Sequence, residues 1–314
     1  MKSCLVTGGS GFIGSHLVEG LVAAGCKVRV LDNLSTGHRA NLQAVADRVE
    51  FLEGSITSAD DVAQAVAGCD TVFHLAALPS VVKSVEDPLA SHEIAATGTL
   101  RVLDAARRSQ VKRVVYAASS SAYGDQPGAV RTENDPLMPL SPYAAAKLAG
   151  EHYCSCFTAV YGLETVRLRF FNVFGPRQDP KSPYTGVIAL FIAAMSEGRV
   201  PTIFGDGLQT RDFVYVENVV QALMLAAKVP GVSGKVFNVG TGRSVTLLDL
   251  VRDLNEILGT KIEPKFAPLR AGDVLHSQAD ISRAKAELGY IPGISFREGL
   301  ARTLAAHRAP CNAR

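Results

Sequence analysis

Charge of one sign, long apolar runs and patterned cysteine are all missing from this chain. Its 314 residues carry 32 Lys plus Arg against 30 Asp plus Glu, a net charge of +2. That balance gives no broad basic footprint for a nucleic-acid backbone, so an anionic ligand has to be met locally. The six cysteines, Cys4, Cys26, Cys69, Cys154, Cys156 and Cys311, include no C-x-x-C pair. Most sit in apolar stretches, where a free thiol behaves as a small hydrophobe and suits a reducing cytoplasm. His16, His74 and His276 form no motif with a fourth ligand at diagnostic spacing, and no metal is expected. No stretch of 18 charge-free apolar residues occurs, and the N-terminus enters a strand pattern directly instead of a basic leader with a cleavage site. Membrane spanning and export are therefore both disfavoured. Ser15 stands where a P-loop needs its lysine, and no G-x-S-x-G elbow surrounds the serines at 119–121, which argues against a P-loop and against covalent ester hydrolysis.

What is present is an ordinary globular composition, 47% hydrophobic and 20% charged. At about 150 residues per domain the length suits two domains, or one large core with an added lobe. The apolar run 4–7 stops at a glycine turn over 8–14, after which Ile13, Leu17, Leu21 and Val22 recur at helical spacing. A second run, 28–31, ends at Asp32 and completes a βαβ unit. Further runs at 49–52, 71–75 and 111–116 alternate with helical patterns at about 59–67 and 92–109, followed by a helix at 142–161 and a strand at 165–170. This alternation predicts an α/β fold, a Rossmann-like doubly wound parallel sheet with active residues at its strand C-termini. Prolines and glycines between about 175 and 212 interrupt one helical stretch, 187–197, and mark an excursion from the first domain. A helix at 216–228 and a strand at 236–239 return to the sheet, and helices near 247–258, 280–288 and 296–307 complete a smaller lobe.

The turn satisfies two dinucleotide patterns at once, Gly9-x-Gly11-x-x-Gly14 and the wider Gly8-x-x-Gly11-x-x-Gly14. Both let a phosphate approach the backbone at a helix N-terminus. Asp32, eighteen residues past Gly14, can accept hydrogen bonds from a ribose 2′-hydroxyl and would repel a 2′-phosphate, which favours NAD over NADP. Asn33, Ser35 and Arg39 bear on that choice, and a strand-end Asp is also a common turn residue.

Tyr143 and Lys147 lie four apart just inside a helix opened by Ser141 and Pro142, on one face. A lysine ammonium there can lower the phenol's pKa and hold a nicotinamide ribose, so that Tyr143 removes an alcohol proton. In isolation the pair also reads as a packed tyrosine beside a solvated lysine; the nucleotide-binding half decides for chemistry. Ser119, Ser120 and Ser121 follow a strand, where hydroxyls can orient a sugar alcohol or cap a turn.

Taken in order, Thr7-Gly8-Gly9-Ser10-Gly11-Phe12-Ile13-Gly14, Phe73-His74-Leu75-Ala76-Ala77, the serine run, Tyr143-Ala144-Ala145-Ala146-Lys147, the stretch from Arg169 to Arg177 and the stretch from Gly205 to Phe213 resemble the extended short-chain dehydrogenase/reductase family. Within it they resemble the UDP-glucose 4-epimerase group, over nearly the whole length. The resemblance implies NAD, held by Gly8, Gly11, Phe12, Ile13, Gly14, Asp32, Asn33, Ser35, Gly37, Ser55, Ile56, Leu75, Ala76, Ala77, Tyr143 and Lys147. It implies a UDP-sugar substrate met by Ser119, Ser120, Ser121, Tyr143, Asn172, Arg211, Arg270, Asp273 and Ser277. The expected division is a NAD-binding core over 1–170 completed by 213–239, with 171–212 and 240–314 as a nucleotide-sugar-binding domain.

The implied reaction is reversible inversion at sugar C4 through a 4-keto intermediate, with Ser119, Tyr143 and Lys147 as catalytic residues. Two arginines suit the diphosphate, since guanidinium groups make charge-assisted bidentate contacts to phosphate oxygens. A 4,6-dehydratase is disfavoured, because Ser120-Ser121-Ala122 replaces the Asp-Glu pair that the resemblance leads one to expect there. A UDP-glucuronate decarboxylase, a UDP-glucuronate 4-epimerase and an inactive NAD-bound scaffold stay open. Ser277 matches a position where some relatives place tyrosine, so UDP-GlcNAc/UDP-GalNAc joins UDP-glucose/UDP-galactose as a substrate pair unless backbone or Tyr184 refills the space. Ser55 and Ala95 depart from the family's more frequent Asp and Asn. Tyr153, Cys154 and Phe157 offer apolar surface either to a second subunit or to the core, and the resemblance implies a homodimer.

Overall fold

The computed structural model describes residues 1–180, 186–269 and 274–308. Along the first half run β1 (Ser3–Thr7), α1 (Phe12–Ala23), β2 (Lys27–Asp32), β3 (Val49–Glu53), α2 (Ala59–Val66), β4 (Thr71–His74), α3 (Val81–Glu86), α4 (Pro88–His92), α5 (Gly98–Arg108), β5 (Arg113–Ser119), β6 (Val130–Arg131), α6 (Pro142–Tyr161) and β7 (Glu164–Phe170). The second half adds β8 (Asn172–Phe174), α7 (Val187–Ser196), β9 (Thr202–Phe204), β10 (Thr210–Arg211), β11 (Phe213–Tyr215), α8 (Val216–Lys228), β12 (Val236–Val239), β13 (Val245–Thr246), α9 (Leu247–Leu258), β14 (Lys265–Ala267), β15 (His276–Ala279) and α10 (Phe296–Arg308).

Seven strands form one parallel sheet in the order β12-β7-β5-β4-β1-β2-β3. The chain winds outward from β1 to β3, then restarts on the other side at β4. Adjacent connections thus leave in opposite directions between β1 and β4, and a crevice opens at their C-terminal ends. Each face has its own core: Leu17, Leu21, Leu223 and Phe237 on one side, Leu103, Val114, Tyr116 and Phe157 on the other. A third core, with Ile188, Phe191, Leu250, Leu254 and Leu300, fills the lobe beyond the sheet. There β10 lies between β13 and β15, and β15 also pairs with β6, so Val130 and Arg131 reach into the lobe's sheet.

Several elements differ from the sequence pattern for identifiable reasons. The segment expected as one helix over 92–109 contains a π-helical turn, Glu93–Thr97, before α5. Such turns recur where a helix adjusts around a site; here Ile94 lines the central cavity. β5 runs on to Ser119 instead of ending near Tyr116, because β7 pairs with it along its full length. After Phe171 comes the short strand β8, paired to β11. Of the three α6 residues considered for a subunit contact, Cys154 and Phe157 belong to the core and Tyr153 is exposed. Among the described residues, no helix is long and apolar enough to cross a membrane.

Candidate active site

The glycine turn is compact because side chains do not fit. A Cβ on Gly14 would lie 2.1 Å from the Gly8 carbonyl oxygen, and one on Gly8 would meet the Ala76 backbone at 2.8 Å, where φ is also +72°. Closing the turn this tightly brings α1 against β1 and starts the helix at Gly11 without a side-chain cap, so its first N–H groups face the crevice as an anion site. Asp32 is buried beside it. One carboxylate oxygen accepts the Ser10 N–H and the other the Leu34 N–H, each at 2.8 Å, which fixes the group and leaves lone pairs for hydroxyl donors.

A cavity of about 620 Å³ opens over this turn. Every residue expected at the cofactor lines it: Gly8, Gly11, Phe12, Ile13, Gly14, Asp32, Asn33, Ser35, Gly37, Ser55, Ile56, Leu75, Ala76, Ala77, Tyr143 and Lys147. A side-chain-free cradle, a helix N-terminus and an acceptor carboxylate together fit a dinucleotide such as NAD. Ser55 is held by its N–H donating to Asp61 at 2.8 Å and its hydroxyl bonded to Thr57 at 2.7 Å. Ala95 is buried against Ala146 of α6, where a small side chain admits the helix.

His74 ties the floor together. Thr99 Oγ1 donates to the Ala95 carbonyl at 2.6 Å, so it accepts from His74 Nε2 at 3.0 Å. His74 Nδ1 then accepts from Thr7 Oγ1 at 2.7 Å, and that oxygen accepts the Ala76 N–H at 3.2 Å. Burial pushes the imidazole down to about 3, with the Lys147 charge adding to the effect, so the ring stays neutral and holds this single direction of donation.

α6 begins at Ser141, whose hydroxyl accepts the Ala144 N–H, with Pro142 in its first turn and Gly162 closing it at φ +70°. This presents Tyr143 and Lys147 to the cavity. Lys147 Nζ donates to the Ala117 carbonyl at 2.8 Å and lies 5.0 Å from the Tyr116 ring centre. Burial lowers it to about 8, opposed by Glu151. Burial raises the Tyr143 phenol, and the hydrogen bond with Ser119 opposes that rise. Ser119 and Ser121 share a hydroxyl contact of 2.8 Å.

The expected sugar-side residues gather elsewhere. Asn172 is on β8, Arg211 on β10 and Ser277 on β15, the last two in register. They are joined through Asp212: its carbonyl accepts the Asn172 N–H at 3.0 Å, its N–H donates to the Ser277 carbonyl at 2.8 Å, and its buried carboxylate accepts from Thr241, Gly242 and Ala279. Arg211 donates to the carbonyls of Thr210 and Leu275. Neither these residues nor Ser119, Ser120 and Ser121 line the cavity. Arg270, Asp273 and Tyr184 lie outside the described residues.

Sequence reasoning missed Arg177, which lines the cavity at φ +67° and donates to Glu19 of α1 at 2.5 Å. Beside it, His16 meets the Pro176 carbonyl at 3.0 Å. Two partners 158 residues apart leave no local spacing signal. Among the described residues, no group of three or more His, Cys, Asp or Glu is placed to hold a metal ion.

Residues 4–240 match the model of the NAD dependent epimerase/dehydratase family. A UDP-glucose 4-epimerase of Mycolicibacterium smegmatis is 41% identical over 304 residues, 96% of each chain. The crystal structure of a Thermotoga maritima UDP-glucose 4-epimerase with UDP-glucose is similar at a TM-score of 0.93 and 40% identity, covering 98% of both chains. A UDP-N-acetylglucosamine 4-epimerase of Methanobrevibacter ruminantium, in complex with UDP-N-acetylmuramic acid, is similar at a TM-score of 0.93 and 39% identity, again over 98% of both.

Proposed function

The chain belongs to the NAD dependent epimerase/dehydratase family, and from that premise we propose that it inverts C4 of UDP-hexoses, interconverting UDP-glucose and UDP-galactose and also UDP-GlcNAc and UDP-GalNAc. The observation that carries this reading is the meeting of Tyr143, Lys147 and the Ser119 hydroxyl at the edge of a glycine-cradled cavity. NAD held by that cradle, with Asp32 on a ribose, supplies a reversible hydride acceptor. Lys147, bonded to the Ala117 carbonyl, holds ribose hydroxyls, and the Tyr143 phenol takes and returns the sugar 4-hydroxyl proton with Ser119 as its partner. Arg211 and Asn172 anchor the diphosphate and sugar, and the small Ser277 leaves room for an N-acetyl group. On this reading 1–170 with 213–239 is the cofactor unit, and 171–212 with 240–314 the nucleotide-sugar unit.

A second copy of the chain is the proposed partner. Val85 and Leu89 on α3 and α4 are 64% and 81% exposed, and Val160 on α6 is 70% exposed, an apolar set suited to a homodimer contact. The described cysteines are all free thiols, which supports a reducing cytoplasm. The function is tested by incubating purified protein with UDP-glucose, UDP-GlcNAc and UDP-glucuronate, separating the products and trapping carbon dioxide. C4-inverted UDP-hexose is expected; UDP-xylose with carbon dioxide would make the protein a decarboxylase, and no product would point to a scaffold.

A further inference from the structure

Glu151 and Arg169 form an ion pair that the reaction above does not use. They are only 2% and 3% exposed, and the contact is bidentate, Nε to Oε1 at 3.0 Å and Nη2 to Oε2 at 2.9 Å. Charges so far from water persist when their remaining donors and acceptors are matched. Arg169 Nη1 donates to the Tyr123 hydroxyl at 2.9 Å, which donates to Asn238 Oδ1 at 2.6 Å, and Asn238 Nδ2 donates to the Arg131 carbonyl at 2.8 Å. Well-packed apolar residues could hold the same elements together, so adhesion alone does not require charges at this place.

Glu151 stands one helical turn past Lys147 and two past Tyr143 on α6, on the same stripe. Arg169 is in register with Ala118 of β5, between Ala117, which receives the Lys147 ammonium, and Ser119. Tyr123 ends the short turn that starts at Ser120, and Asn238 is in register with Arg169 on β12. The helix carrying the proton-transfer pair, the serine turn and the sheet edge next to the lobe therefore meet at one guanidinium. The titratable groups around Lys147 are Tyr143, Glu151 and Cys154 on its own helix, neutral His74 on β4 and Tyr116 on β5, and behind them Arg169 and Arg167 of β7 meet Glu151.

Resting on the epimerase reading, we propose that Glu151 and Arg169 are a positioning pair: they set the register of Tyr143 and Lys147 against the serine turn, and their opposed charges balance on the Lys147 ammonium, Glu151 favouring it from one helical turn away and Arg169 opposing it from β7. The test follows the lysine Cε resonance of 13C-lysine protein by NMR, assigned with Lys147→Arg, together with the alkaline limb of kcat, in Glu151→Gln, Arg169→Gln and the double variant. Removing the carboxylate should move the Lys147 titration to lower pH and removing the guanidinium should move it to higher pH, each by at least about half a pH unit, a threefold change in proton affinity. The double variant should return near the parent. Single variants that shift together, or not at all, would overturn the proposal. Should either fail to fold, Tyr123→Phe removes one hydroxyl and keeps the ring; it should lower kcat at least about threefold with KM and Tm held, and an unchanged kcat would overturn the positioning role. If the parent inverts no sugar, the epimerase reading fails, while the NMR titration still decides the pair.

Discussion

The glycine-turn cavity and the cluster of residues expected at the sugar are built by opposite means. Around the glycine turn, the expected residues arrive in short contiguous segments at the ends of adjacent parallel strands, and they close on one cavity. On the sugar side, Asn172, Arg211 and Ser277 come from three short strands brought together by pairing and by the buried Asp212. A contiguous site is written in spacing along the chain. An assembled one depends on which distant strands become neighbours.

Tyr143→Phe is the sharpest way to break the cavity's chemistry while leaving its architecture. Loss of a positioned proton carrier should lower kcat by about 10²–10⁴-fold, with NAD and UDP-sugar binding retained in calorimetric titrations. Gly14→Ala attacks the architecture instead. With backbone oxygen 2.1 Å from the new Cβ, it should lose NAD binding and be destabilised at or beyond the upper end of the usual range of about 0.5–3 kcal/mol, read by thermal melting. Arg211→Ala probes the assembled cluster. It should raise KM for the UDP-sugar about 10- to 100-fold, the worth of a charged hydrogen bond, and leave NAD affinity alone; a parallel loss of NAD would join the two sites that the comparison separates.

A pH dependence of stability, spread over several pH units, belongs to the floor beneath the glycine turn. His74 is neutral when folded and its imidazole is pushed down to about 3, whereas an unfolded histidine titrates near about 6.5. Between those values the unfolded state binds more protons, so stability is full above about 6.5 and falls as pH drops, by up to about 1.4 kcal/mol per pH unit. Denaturant melts from pH 7 to 4 should show this slope in the parent and a shallower one in His74→Asn.

Legibility followed the same divide. The parallel sheet, the helix at 216–228, the edge strand at 236–239 and the cavity residues could be read because glycine spacing and apolar periodicity are local. Four things could not. The π-helical turn at Glu93–Thr97 has no pattern of its own and follows from how Ala95 and Ala96 pack on Ala146. The clasp of Arg177 on Glu19, and the buried pair of Glu151 and Arg169, are long-range choices among many surface-like charges. The Ala117 carbonyl that takes the Lys147 ammonium is likewise a contact that sequence spacing cannot reveal.

On the proposed function, the Tyr143 face and the glycine-cradled cavity act together to invert one sugar carbon. UDP-glucose deuterated at C4 tests it most directly. UDP-galactose that keeps deuterium at C4, with no label in solvent and no net change in NAD, is expected; product that has lost the label, or no C4-inverted product, would overturn the proposed function.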